Sequence, residues 1–91
     1  MSDLQEIKNL FFKLLEVEGI SGFEEQMIKT LVDELTPLCD EVYQTPRGNV
    51  VGVQYGTDPE APKVALAAHT DQVGFIVFSI DERGFIRFRK I

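Results

Sequence analysis

The sequence predicts an α/β chain, and three observations carry the prediction. Apolar residues recur at helical spacing through roughly the first third of the chain, and the period then changes to two near residue 42. One later run, Val64-Ala65-Leu66-Ala67-Ala68, is apolar throughout, the pattern of a strand covered on both faces as in a parallel sheet.

Residues 3–17 read as the first helix. Ser2 and Gln5 have the spacing of a capping box, and Leu4, Ile7, Leu10, Phe11, Leu14 and Leu15 fall on one face. Phe12 stands off that face, and Gly19 marks the end of the helix. Residues 22–36 read as a second helix with Ser21 and Glu24 as its capping box and Glu25 in its first turn. Met27, Ile28, Leu31, Val32 and Leu35 make its stripe, and Pro37 closes it.

The rest reads as strands and turns. Residues 42–45 and 50–55 are strands joined by the turn Pro46-Arg47-Gly48-Asn49, which predicts a hairpin. Residues 56–62 form a polar loop, and residues 64–68 are the strand covered on both faces. Residues 73–80 and 85–91 are two further strands around the turn Asp81-Glu82-Arg83-Gly84, a second hairpin. The chain stops at Ile91 in an alternating strand with no polar tail; an open edge invites pairing, so the pattern predicts a piece of a longer polypeptide.

Composition narrows the function. The 91 residues suit one small domain or part of one, and a core of that size is marginal unless its flanks are covered. The 44% hydrophobic content is too high for disorder. A formal charge of −6 argues against non-specific binding to nucleic acid or to an anionic membrane. Arg87, Arg89 and Lys90 alternate with apolar residues as on a strand. The single Cys39 fits a reducing compartment and reads as a packing residue. Residues 1–15 mix charge into the apolar pattern, unlike a signal peptide, and no apolar stretch approaches the roughly 20 residues of a membrane span. The expected location is cytoplasmic.

The chemistry concentrates in Ala68-His69-Thr70-Asp71-Gln72-Val73-Gly74-Phe75-Ile76-Val77. The only histidine closes the apolar run, at the carboxyl end of a strand, where α/β folds put their ligands. Residues i and i+2 of an extended segment point the same way, so Asp71 can accept the ring N–H of His69 and orient the other nitrogen toward a metal. The pair serves equally well as a structural hydrogen bond, and spacing leaves both open. Thr70 and Gln72 would face the other way. Gly74 marks a bulge, a close approach or a tight packing contact. Glu24/Glu25, Asp40/Glu41 and Asp81/Glu82 lie at a helix start or near turns, and read as solvated or capping.

This segment resembles the first metal-site motif of the glutamyl-aminopeptidase or deblocking-aminopeptidase family, dinuclear-metal exopeptidases of the cytosol that assemble as tetrahedral dodecamers. Ile20-Ser21-Gly22-Phe23-Glu24-Glu25 and Thr45-Pro46-Arg47-Gly48-Asn49-Val50 resemble family segments in the expected order. The resemblance covers essentially the whole chain but only the first quarter or so of a family member. Related peptidases share His-x-Asp without usually following it by an acidic or amide residue and Val-Gly-Phe. The family usually has Glu where this chain has Gln72.

The resemblance implies the N-terminal part of a phosphorylase/hydrolase-like metallopeptidase domain over residues 1–75. Residues 76–91 would begin an inserted, β-barrel-like domain that helps build a homo-oligomer. It implies His69 as a metal ligand and Asp71 as the catalytic aspartate that polarises the ligand set. The complete enzyme would hold two divalent metal ions, Zn²⁺ or Co²⁺, activate a water with a glutamate base, and remove N-terminal residues from peptides. The other ligands and the base would lie beyond Ile91, so the chain alone is expected to bind metal weakly or not at all and to be inactive. Nucleic acid and membrane are not expected partners. Two other readings stand beside it. One is a non-catalytic α+β module that binds a partner along the edge at residues 85–91. The other is the endoglucanase label some family members carry, for which the chain lacks tryptophan and a flanking carboxylate pair.

Overall fold

The computed structural model describes residues 2–91. It is a small α/β arrangement with the element order α1 (Asp3–Glu16), α2 (Glu25–Leu35), β1 (Glu41–Gln44), β2 (Val50–Val53), β3 (Phe75–Ile80) and β4 (Ile86–Lys90). Helix α1 starts where its cap chemistry places it, with the Gln5 amide donating to Ser2 Oγ at 3.2 Å. The reciprocal half of the box is replaced, because Gln5 Nε2 donates to Asn9 Oδ1 at 2.9 Å instead. Asp3 and Glu6 lie at the positive end of the helix and Lys13 in its last turn.

Helix α2 starts three residues later than its sequence pattern predicts. Ile20 to Phe23 make a tight turn closed by the Phe23 amide on the Ile20 carbonyl at 2.8 Å, with Gly22 at φ +89°. That left-handed conformation is open to glycine and incompatible with a helix, so α2 cannot begin before it. Its N-cap is Glu24, which makes no side-chain capping bond, and Ser21 is spent elsewhere. Met27 is the one buried apolar side chain among the described residues, at 3% exposure. The rest of the expected stripe, Ile28, Leu31, Val32 and Leu35, is half-buried.

Strands β1 and β2 form an antiparallel hairpin with Glu41 opposite Val53 and Gln44 opposite Val50. Its turn is closed by the Gly48 amide on the Thr45 carbonyl, and Gly48 takes φ +89°. The hairpin packs under α2. A side chain at Gly52 would reach within 2.7 Å of Cys39 Sγ and 3.5 Å of Leu35, so the glycine is what lets helix and strand close. Cys39 is half-buried there, as a packing residue. Strands β3 and β4 form a second antiparallel hairpin, with a register shift between Val77 and Ser79.

Residues 64–68 depart from expectation. No strand forms there, and Val64 and Leu66 are 86% and 96% exposed. A strand covered on both faces needs neighbours on its edges and layers above and below, and the described residues provide neither. Among the described residues the parallel sheet that the pattern suggests does not form, for the same reason. Among the described residues the one parallel pairing is a single bridge between Ile20 and Gln72. The predicted strand 73–80 likewise begins at Phe75.

The apolar stripe of α1 is also uncovered, with Ile7 66% and Phe11 58% exposed, although its spacing is that of a buried face. The radius of gyration is 18.2 Å, against about 12 Å for a compact domain of this length.

Candidate functional site

The site forms where the link between the helices meets the segment that precedes β3. The Gln72 amide donates to the Gly19 carbonyl at 2.7 Å, beside the Ile20–Gln72 bridge. Three close approaches hold this crossing. A Cβ on Gly19 would lie 3.1 Å from Met27 Cε and 3.3 Å from the Thr70 carbonyl. One on Gly74 would lie 2.8 Å from the Ile20 side chain, so Gly74 is a packing contact, and the register shift falls farther along the strand. Larger residues at either place would push the crossing apart.

Within this frame His69 and Asp71 meet as i, i+2 alternation requires, with His69 Nδ1 3.0 Å from Asp71 Oδ1. The second carboxylate oxygen accepts from Ser21 Oγ at 2.8 Å. The Ser21 hydroxyl, then the His69 ring, hold the Asp71 carboxyl below its usual value of 3.8. An ionised carboxylate can only accept, so the proton between the two residues sits on His69 Nδ1. In the neutral ring this leaves a lone pair on Nε2, and the imidazole is 87% exposed. The arrangement can hold one imidazole nitrogen, oriented by a carboxylate, toward a cation or a proton.

The pair borders a cleft of about 180 Å³ with Glu24, Met27, Leu31, Asn49 and Thr70 among its other walls. Gln72 is not one of the lining residues. Two features escaped the sequence reading. Ser21 reads as a helix cap yet serves Asp71, and Glu24, read as capping, borders the cleft. No local signal marks the first, because Ser21 and Asp71 lie 50 residues apart. The other acidic pairs serve the hairpins: Asp81 Oδ1 accepts the Arg83 and Phe85 amides at 2.9 and 3.0 Å within its turn, and Asp40, just before β1, accepts the Tyr55 amide beyond β2 at 2.6 Å. Among the described residues no group of three or more His, Cys, Asp or Glu converges as a metal site. No helix among them is long and apolar enough to cross a membrane.

Residues 48–91, which include His69 and Asp71, match the family model described as M42 glutamyl aminopeptidase. The chain is 42% identical over 79 residues to a lysyl aminopeptidase of Pyrococcus furiosus, covering 86% of this chain and 22% of that protein. It is 31% identical over 87 residues to a putative aminopeptidase of Acetivibrio thermocellus, covering 96% of this chain and 26% of the relative. It is also 36% identical over 86 residues to the putative aminopeptidase SgcX of Escherichia coli, covering 93% of this chain and 23% of that protein. The chain thus spans about a quarter of the length of the curated relatives it matches. The family match over residues 48–91 and these aminopeptidase relatives together show that the chain belongs to the M42 glutamyl aminopeptidase family.

Proposed function

We propose that this chain supplies the first ligand segment of a metal-dependent aminopeptidase that removes N-terminal residues from peptides. One observation carries the reading. His69 projects from the family-matched segment with its Nδ1 tied to Asp71 and its ring open to solvent. His69 would be a metal ligand through Nε2, and Asp71 would hold the ring and raise its basicity. Two divalent ions, Zn²⁺ or Co²⁺, would supply Lewis acidity and a water of lowered pKa when bound in the complete enzyme. The donor set fits one ligand of such a site. A catalytic centre needs about four or five donors per metal, and here one imidazole and one carboxylate converge.

Residues 1–75 would then belong to a phosphorylase/hydrolase-like peptidase domain, and residues 76–91 would open an inserted β-rich domain in a cytoplasmic homo-oligomer. The exposure of β3 and β4 accords with an element built to be covered. The same exposure favours a second reading, a non-catalytic α+β module that binds a partner along residues 85–91.

A chimera separates the two. Residues of this chain replace the matching segment of the Pyrococcus furiosus lysyl aminopeptidase, and hydrolysis of aminoacyl-p-nitroanilides is measured with Zn²⁺ or Co²⁺. The enzyme reading expects activity that is lost with His69→Ala, and no activity from the 91-residue chain alone. A folded chimera that is inactive, or one that is indifferent to His69→Ala, overturns it and leaves the module.

A further inference from the structure

We propose that Ser21 is a positioning residue for His69 and Asp71: its hydroxyl fixes the carboxylate so that the imidazole keeps its proton on Nδ1. The consequence for metal binding rests on the reading of His69 as a ligand, whereas the positioning itself does not need it.

The two oxygens of Asp71 are divided between two partners, Oδ1 to His69 Nδ1 at 3.0 Å and Oδ2 to Ser21 Oγ at 2.8 Å. Ser21 stands 50 residues away in the chain, and backbone contacts bring it to the site. It occupies the tight turn that Gly22 makes possible, and that turn is tied to the site strand by the Gln72–Gly19 hydrogen bond and the Ile20–Gln72 bridge. The packing of Gly74 against Ile20 closes the same crossing from its other side. Ser21 leaves the capping role that its sequence position offers, and α2 begins at Glu25 behind an N-cap, Glu24, that makes no side-chain capping bond.

The Asp71 carboxylate is itself 45% exposed and lies on a segment outside both hairpins. Without the hydroxyl its second oxygen turns to water, and the carboxylate is free to rotate away from the ring. A neutral imidazole in water prefers its proton on Nε2, the nitrogen a ligand must leave bare. A carboxylate pinned at Nδ1 reverses that preference before any cation arrives.

Nitrogen-resolved NMR of the metal-free 91-residue chain tests this directly, because His69 is the sole histidine and its ring signals need no assignment. The pH is set high enough to keep the ring neutral, and the Gln72 amide is followed by hydrogen exchange. The native chain is expected to show the Nδ1–H form with a protected Gln72 amide. Ser21→Ala is expected to lower the ratio of Nδ1–H to Nε2–H severalfold while Gln72 stays protected, and Ser21→Thr is expected to restore it. The proposal is overturned if the native ring is already Nε2–H, if Ser21→Ala leaves the ratio unchanged, or if Thr behaves as Ala. It is overturned equally if Ser21→Ala strips protection from Gln72, which would make the serine a part of the link's fold alone. The readout uses neither metal nor substrate, so failure of the aminopeptidase reading shows in the chimera and not here.

Discussion

The two hairpins are built from the same local chemistry and end in different surroundings. Each turns through a glycine in the left-handed region, Gly48 at φ +89° and Gly84 at φ +83°, and each closes that glycine's amide onto a carbonyl three residues back. Each has a polar side chain that bonds the backbone within its turn, Thr45 in one and Asp81 in the other. The first hairpin then lies under α2, with Val51 and Val53 half-buried. The second carries Phe75 stacked edge-on to Phe88 at 4.8 Å and Phe78 under Arg89, yet all of its strand residues but Ser79 are exposed. Turn chemistry is therefore enough to shape a hairpin, and a covering layer is a separate requirement. A two-stranded ribbon by itself is marginal in water, so the second hairpin is the less secured of the two.

Met27 offers the largest effect. Met27→Ala empties the one buried apolar side-chain position among the described residues and is expected to cost about 2–5 kcal/mol in chemical denaturation. Loss of amide protection should appear first in β1, β2 and Gln72, and β3–β4 should change little. Equal losses in both hairpins would mean that they fold as one unit and would break the contrast.

The paired turn glycines sharpen it. Alanine at either position meets the left-handed penalty of about 1–2 kcal/mol. At Gly84 nothing lies within 4 Å of the new Cβ, whereas at Gly48 it comes within 3.3 Å of Ile28 Cδ1 on α2. Gly48→Ala is thus expected to destabilise its hairpin by more than Gly84→Ala destabilises the other, as read by native-state hydrogen exchange. Identical costs would show that α2 does not press on the first turn.

The smallest effect concerns the crossing that joins the two regions. The folded Asp71 pKa lies below its unfolded value of 3.8, so the stabilisation is fully present above that value and is lost as pH falls through the folded one. Gln72 protection should hold from neutral pH down to about that point and decline below it, ahead of the β1–β2 amides. Protection independent of pH over this range would remove Asp71 from the crossing.

How much of this was legible varies with the distance between the interacting groups. The start of α1, both turns and the packing role of Cys39 follow from neighbours a few residues apart, and the structure agrees with each. The start of α2 differs from its pattern because Ser21 and Glu24 have capping-box spacing, while Gly22 between them takes a conformation no helix admits. The apolar run at residues 64–68 has the pattern of a buried strand, but apolarity states only that a segment would gain from burial. The His69–Asp71 contact was legible because it needs only alternation along an extended segment. The Ser21 hydroxyl was not, because no periodicity links residues 50 positions apart.

The sequence by itself determined the class of each helix and strand that forms, the hairpin turns and the pairing of His69 with Asp71, since these depend on backbone preferences and i, i+2 geometry. The tertiary structure alone decided which apolar faces are covered, where α2 begins, and that the link between the helices reaches across to hold the Asp71 carboxylate. Those outcomes require two distant stretches of backbone to approach within hydrogen-bond distance. That approach is possible only because Gly19 and Gly74 leave room for it.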